Sequence, residues 1–457
     1  MSAAGGGFLQ RSRFFRDAPM TAETTVIERI RAQVLAGLSE RQRADQLSGR
    51  PPLRGLDEQA LGRQLIAEAL DADAREALSA GRSIRRNDED DALAQGVFDA
   101  LFRLGRLQRL LDDPSVENIN ANGADQVWVR YADGRRERTD PIASSDAELV
   151  ELLRNAAARL GIGERRFDLG SPRLSLQLPD GSRLFALMAV AARPCLSIRR
   201  HRYLKVTPDD LIGMGTIDLV LRELFRSLML ARKSVVICGG TGAGKTTLLR
   251  AMAADIPPWE RLVTIEDSLE LGLDRFPELH PDAIALEARE PNLEGEGGVG
   301  LAELVRWALR LNPDRVIVGE ARGEEVLALL NAMSQGTDGS MATLHASSSK
   351  GAFSKLATYA IQAPEHLPLE ATNLLVANAV HFVVFLAQDS TGRRFVSSVR
   401  EVLDADGPMV VSNEIFRPGP GGRAVPAVNV RSETLDVLVE MGFDPRLLER
   451  PGGWWDQ

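Results

Sequence analysis

One octapeptide limits the fold more than anything else in the chain. Gly239-Gly240-Thr241-Gly242-Ala243-Gly244-Lys245-Thr246 follows an apolar run, Ser234 to Cys238, and opens a helical pattern, Thr247 to Ile256, that Pro257 and Pro258 end. Strand, glycine turn and helix in that order make an anion cradle. The glycines let the backbone close around phosphates, successive N–H groups point inward, and the helix N-terminus adds positive potential. Gly240, Thr241, Gly242, Ala243, Gly244, Lys245, Thr246 and Thr247 are therefore the candidate nucleotide-binding residues. Lys245 would reach the outer phosphates, and Thr246 would ligate Mg²⁺ through its hydroxyl. The alternative is a glycine-rich turn without ligand.

A cradle needs a group to place the attacking water. Arg315 to Glu320 reads as a short apolar strand ending in Gly319-Glu320, preceded by a helix with Leu301, Leu304, Val305, Ala308 and Leu309 on one face. Strand ends meet the ligand in a sheet of this kind, so Glu320 is the candidate general base; the alternative is a salt-bridged surface Glu. Glu266 and Asp267 follow another apolar segment and could hold Mg²⁺, partly through water, although such acids also commonly begin helices. His345 closes a polar stretch, Gly336 to His345. It could sense the terminal phosphate or be a satisfied structural histidine.

Helical and strand patterns alternate around these boxes from 204 to 390, which predicts an α/β domain with a mainly parallel sheet. Before it, 112–203 reads as a small α+β domain and 23–111 as a helical segment. Residues 1–22 suggest a disordered tail; Phe8, Leu9, Phe14 and Phe15 beside Arg11, Arg13 and Arg16 could touch a membrane surface or a partner. Residues 391–457 are expected to form a C-terminal appendage, a short β part followed by a helix around Ser432 to Met441. Thr216 is expected to cap a helix carrying Leu219 to Leu228, and Leu374 to Leu386 reads as buried strands. Cys195 and Cys238 cannot build a disulfide framework, which favours a reducing, cytosolic compartment. With Lys+Arg 55 against Asp+Glu 64, the chain lacks the basic surplus of a nucleic-acid binder.

Taken together, the boxes resemble the type II/IV secretion superfamily of motor ATPases, and within it the tight-adherence (Flp-type, CpaF-like) pilus-assembly ATPases. Gly239 to Thr246 matches Walker A, Thr264 to Leu271 the Asp box, Gly319-Glu320 the atypical Walker B and Gly336 to His345 the His box. Also family-like are Leu286 to Arg289, Pro291-Asn292, Glu294-Gly295, Leu309 to Arg322, Leu111 to Pro114, Ile119, Asn122-Gly123, Leu178 to Arg183 and Ser197 to Arg200. The family commonly has Asp and Arg at the positions of Ser175 and Gln177, His at Thr337 and Asn at Ser347.

The resemblance implies a RecA-like ATPase domain that binds ATP against the preceding domain in a ring, usually a hexamer. It implies catalytic roles for Lys245, Glu266, Glu320 and His345, with Arg183 and Arg199 reaching the γ-phosphate. Arg193, Arg199, Arg200 and Arg202 also suit a solvated strand edge. The expected machine is an Mg²⁺-dependent, cytoplasmic ATPase. It would sit at the inner face of the cytoplasmic membrane by docking on an inner-membrane platform protein, and drive pilus assembly or secretion without direct nucleic-acid binding. The rivals are a conjugative type IV secretion ATPase for DNA–protein transfer, a nucleic-acid-stimulated RecA-like helicase, and a non-hydrolysing nucleotide switch.

Overall fold

The structure, a computed structural model, describes residues 22–455 apart from 52, 54, 84, 161–165, 201–204, 290 and 292–294. The expected tail, with its arginines and phenylalanines, falls outside these residues, as do Arg202, Asn292 and Glu294. The chain divides into two compact units, 1–201 and 202–457.

In the first unit, helices Ala22–Leu47, Leu56–Ser79 and Asn87–Phe102 bury Ile30, Val34, Ile66, Leu70, Val97 and Leu101 at helical spacing. A sheet follows: β1 (Val116–Asn122), β2 (Val127–Tyr131), β3 (Arg136–Thr139), β4 (Arg173–Gln177), β5 (Arg183–Leu187) and β6 (Cys195–Arg199), in the order β3-β2-β1-β6-β5-β4. Every pair is antiparallel. Helix Asp146–Leu160 covers one face with Leu149 and Leu153, against Ile119, Leu184 and Ile198. Alternation along β1, β2, β4, β5 and β6 supplies that apolar face.

Arg193 is structural. It bonds the fully buried Asp146 through Nε at 2.7 Å and Nη2 at 2.6 Å, and also pairs with Asp125 at 2.6 Å. These acids hold its pKa above the ordinary arginine value.

The second unit opens with two capped helices. Thr207 and Asp210 form a reciprocal capping box on Pro208–Gly213. Helix Leu219–Leu230 is capped by Asp218, whose Oδ1 accepts from the Leu221 N–H at 3.0 Å. Thr216, the expected cap, lies two residues too early for a helix that starts at Leu219.

The central sheet contains β7 (Val235–Gly239), β8 (Leu262–Glu266), β9 (Ala283–Glu287), β10 (Arg315–Ala321), β11 (Met341–His345), β12 (Phe382–Gln388), β13 (Arg394–Asp406), β14 (Met409–Pro418) and β15 (Ala424–Pro426). Their order is β15-β14-β13-β12-β7-β11-β10-β8-β9. From β9 to β12 neighbours run parallel, with apolar clusters on both faces, as a parallel sheet requires. The cradle strand β7 is separated from β10 by β11, so the ends of β7, β11, β10 and β8 stand in a row. This is the RecA-like α/β arrangement.

Two expectations are corrected here. The β part expected after 390 is present but is not set apart: β13 pairs antiparallel with the free edge of β12, β14 and β15 extend the same sheet, and the expected helix follows as Ser432–Glu440. Leu374 to Leu386 is not all strand: Leu369–Ala379 is helical, and only Phe382 onward joins the sheet. An apolar run of that length does not declare its period, and the interior Asn378 is tolerated on the helix's outer side.

Candidate functional site

The cradle has the backbone its glycines permit. Gly242 and Gly244 adopt left-handed φ values of 74° and 93°, and Gly244 is the cap of helix Lys245–Ala253. A Cβ on Gly239 would lie 2.6 Å from the Leu386 carbonyl oxygen, so only glycine lets β7 leave the sheet here. Thr246 and Thr247 are half-buried in the first turn, and Ala243 is buried beneath the loop.

Lys245 turns back over this loop. Its Nζ donates to the carbonyl oxygens of Gly239 at 3.3 Å and Gly240 at 3.0 Å, and lies 3.3 Å from His345 Nδ1. Burial lowers its pKa, with the Glu320 charge opposing the shift. A lysine ammonium has only donors, so Nδ1 of His345 accepts and the ring proton sits on Nε2. That nitrogen faces Glu320 Oε1 at 2.6 Å.

The row continues. Arg322 lies 3.8 Å from Glu320 and pairs with Asp267 at 2.6 Å. Lys245, His345, Glu320, Arg322 and Asp267 thus follow the ends of β7, β11, β10 and β8 in spatial order. Register does this: His345 pairs with Gly239, and β10 lies between β11 and β8.

Glu266 is placed differently from its neighbour Asp267. It is 3% exposed, and its Oε1 accepts from the backbone N–H groups of Glu270 at 3.0 Å and Leu271 at 2.9 Å. Burial pushes its carboxyl up to about 8, although those N–H groups pull the other way. A Cβ on Gly319 would lie 2.8 Å from Glu266, so the glycine before Glu320 makes room for this carboxyl. Glu266 organises the loop at 266–271, while Asp267 reaches the row of charges.

Sequence reasoning assigned no task to Arg322, to Glu325, or to Thr343. Glu325 Oε1 accepts from the backbone N–H groups of Arg322 at 2.5 Å and Gly323 at 2.8 Å. Thr343 donates its hydroxyl to the Gly319 carbonyl. Together they brace the end of β10 and the turn after it, on either side of Glu320. The acidic pair Glu324-Glu325 after Gly323 was the available signal, since carboxylates favour helix starts. Thr337, where the resembled family has His, donates to the Ala332 carbonyl at 2.8 Å and closes the helix Glu325–Met333.

Arg183 and Arg199 belong to the first unit and face each other directly across β5 and β6. Both guanidinium groups stand on the accessible side of that sheet, Arg183 half-buried and Arg199 exposed. Arg200, one residue on, alternates to the other face and bonds the carbonyl oxygen of Asp113.

The donor set fits a P-loop nucleotide and Mg²⁺. A buried lysine amino group, a left-handed glycine turn and a threonine in the first helical turn converge, with Asp267 and Glu320 nearby. Among the described residues no group of three or more His, Cys, Asp or Glu could hold a metal ion alone. Mg²⁺ at such a cradle draws most of its oxygen ligands from water and substrate phosphates.

A type II/IV secretion system protein family model matches residues 103–409. A Mycobacterium tuberculosis protein named as a putative conjugal transfer protein is 36% identical over 312 residues, 66% of this chain and 85% of its own length. The conjugal transfer protein TrbB of Rhizobium radiobacter is 32% identical over 302 residues, 65% of this chain and 86% of its own. Among solved structures, the VirB11 ATPase of the Brucella suis type IV secretion system is 27% identical, covers 66% of this chain and 96% of its own, and superposes with a TM-score of 0.35.

Proposed function

Because the chain belongs to the type II/IV secretion system protein family, we propose that it is an Mg²⁺-dependent ATPase that powers a secretion or pilus-assembly machine. The observation that carries this reading is the run from Lys245 through His345 to Glu320 at adjoining strand ends. Lys245 and the backbone of Gly240 to Thr247 hold the β- and γ-phosphates. Glu320 takes a proton from the attacking water, and His345, donating its Nε2 proton, keeps that carboxylate aimed. Mg²⁺ held by Thr246, with Asp267 behind it through water and Glu266 shaping the loop that carries Asp267, would neutralise charge on the transferred phosphate. Arg183 and Arg199 supply positive charge as the γ-phosphoryl group departs. Loss of that group releases the contacts to Arg199 and His345, and this release is the proposed power step.

We assign the working form as a homo-oligomeric ring, a hexamer, acting in the cytoplasm at the inner face of the membrane. No helix among the described residues is long and apolar enough to cross a membrane, so attachment through an inner-membrane platform protein suits the reading. The tight-adherence pilus machine is the first assignment, carried by the resemblance around Leu286 to Arg322. Conjugative DNA–protein transfer is the second, favoured by the names of the relatives from M. tuberculosis and R. radiobacter.

The test is phosphate release from ATP by the full chain. Activity should vanish on chelation of Mg²⁺ and fall by about 10²–10⁴ in Glu320→Gln, with ATP binding kept. Hydrolysis at the wild-type rate in Glu320→Gln would remove the proposed base. Restoration of surface pili, as against plasmid transfer, in a strain lacking the gene separates the two machines.

A further inference from the structure

The polar row on the β11 and β10 side uses only one flank of the cradle. On the other flank, β12 lies next to β7 and β13 next to β12. Arg394 opens β13, paired with Gln388 at the end of β12. A Cβ on Gly244 would lie 3.3 Å from Arg394 Cδ and 4.0 Å from a Leu386 methyl carbon, so the arginine stem rests against the turn that starts the P-loop helix. Arg394 is exposed, and among the described residues its guanidinium makes no hydrogen bond or ion pair. The neighbouring Arg393, by contrast, is tied to Asp389 at 3.0 Å.

Sheet order gives the bound nucleotide a direction. The terminal phosphate belongs beside Lys245, His345 and Glu320, all reached from the β11 and β10 side of β7. A phosphate chain laid over the helix N-terminus with that end fixed carries its nucleoside toward β12 and β13. There it meets a guanidinium, planar, always charged and bearing five donors.

We propose that Arg394 is a nucleotide-binding residue that grips the nucleoside end of ATP, donating to the α-phosphate from the flank opposite the hydrolytic row. This deepens the ATPase reading and rests on it. The α-phosphate is common to substrate and product, so Arg394 holds ATP and ADP alike and contributes uniform binding rather than selective stabilisation of the transition state. It keeps the nucleotide seated through hydrolysis while the γ-phosphate contacts come and go.

The experiment measures ATP and ADP affinity of the full chain by calorimetry, for wild type, Arg394→Ala, Arg394→Lys and Lys245→Ala, together with steady-state hydrolysis and oligomer size. Losing one charge-assisted contact should weaken ATP and ADP by the same factor, about tenfold. The value of kcat/KM should fall by a similar factor, carried mainly by KM, and Arg394→Lys should recover part of the loss. Unchanged affinity in Arg394→Ala, with binding abolished in Lys245→Ala, overturns the assignment and leaves the ATPase reading standing. Loss of ATP affinity without loss of ADP affinity would put the arginine on the γ-phosphate, and a change in oligomer size would put it at a subunit contact; either contradicts the proposal. A wild-type chain that binds neither nucleotide overturns the ATPase reading itself.

Discussion

His345 Nε2 lies 2.6 Å from Glu320 Oε1, linking the ends of two adjacent parallel strands across the site. Side chains joined this way act as one unit. If His345 works by aiming Glu320, then His345→Ala and Glu320→Gln each lower kcat, and the double variant is little worse than Glu320→Gln alone. Rate losses that multiply would mean two independent roles. Single-turnover hydrolysis of the three variants decides this.

Arg183 and Arg199 are cross-strand partners, so their charges are presented together. Arg183→Ala and Arg199→Ala are each expected to retain ATP binding while turnover falls, by up to the 10³–10⁵ that an arginine on developing phosphoryl charge contributes. Arg193→Ala should differ in kind. It strips Asp146 of its bidentate partner and should appear as lost thermal stability. Paired melting and turnover measurements on the three variants separate the roles.

At the opposite end of β10, Arg315 is fully buried and holds Glu260 through Nε at 2.7 Å and Nη2 at 2.8 Å. Its Nη2 also donates to the Met229 carbonyl at 2.7 Å. Arg315→Met leaves Glu260 buried with, among the described residues, only the longer Arg232 contact at 3.2 Å, and should cost about 3–5 kcal/mol. Arg315→Met combined with Glu260→Leu should cost less than the single change, because no orphan charge remains. Urea unfolding at pH 7.5 measures both.

Burial pushes the pKa of His280, 4% exposed, down to about 4. The unfolded chain, with a pKa near 6.5, then binds the proton more readily than the native chain between those values. Stability from keeping His280 neutral is therefore complete above about pH 6.5 and is lost as pH falls toward 4. By pH 5 the loss should be about 1–2 kcal/mol. His280→Gln, which cannot titrate, should lose that much less between pH 7 and pH 5 in paired unfolding curves.

The legible parts of this molecule are those that a local pattern encodes. The apolar run at Val235 to Cys238, the glycine turn and the helix start at Lys245 announce themselves within about twenty residues, because the pattern's period changes where the glycines stand. Glu320 at the end of an apolar strand is legible for the same reason. Contacts made by sheet order are not. Nothing in the linear spacing places His345 beside Lys245, a hundred residues away, because that depends on β11 inserting between β7 and β10. The inward turn of Glu266 depends on the path of the loop to Leu271, and the packing of Arg394 on Gly244 depends on β13 finding the open edge of β12. Asp218 and Thr216 are both capping types two residues apart, and in the folded chain it is Asp218 whose carboxylate accepts from the Leu221 N–H.

The most direct measurement is calorimetric titration of the full chain with ATP in Mg²⁺, for wild type and Lys245→Ala. Saturable binding by wild type, abolished in Lys245→Ala while its melting curve without nucleotide is unchanged, is the expected result. ATP binding of equal strength in Lys245→Ala, or none in wild type, would contradict the claim that this cradle holds the triphosphate.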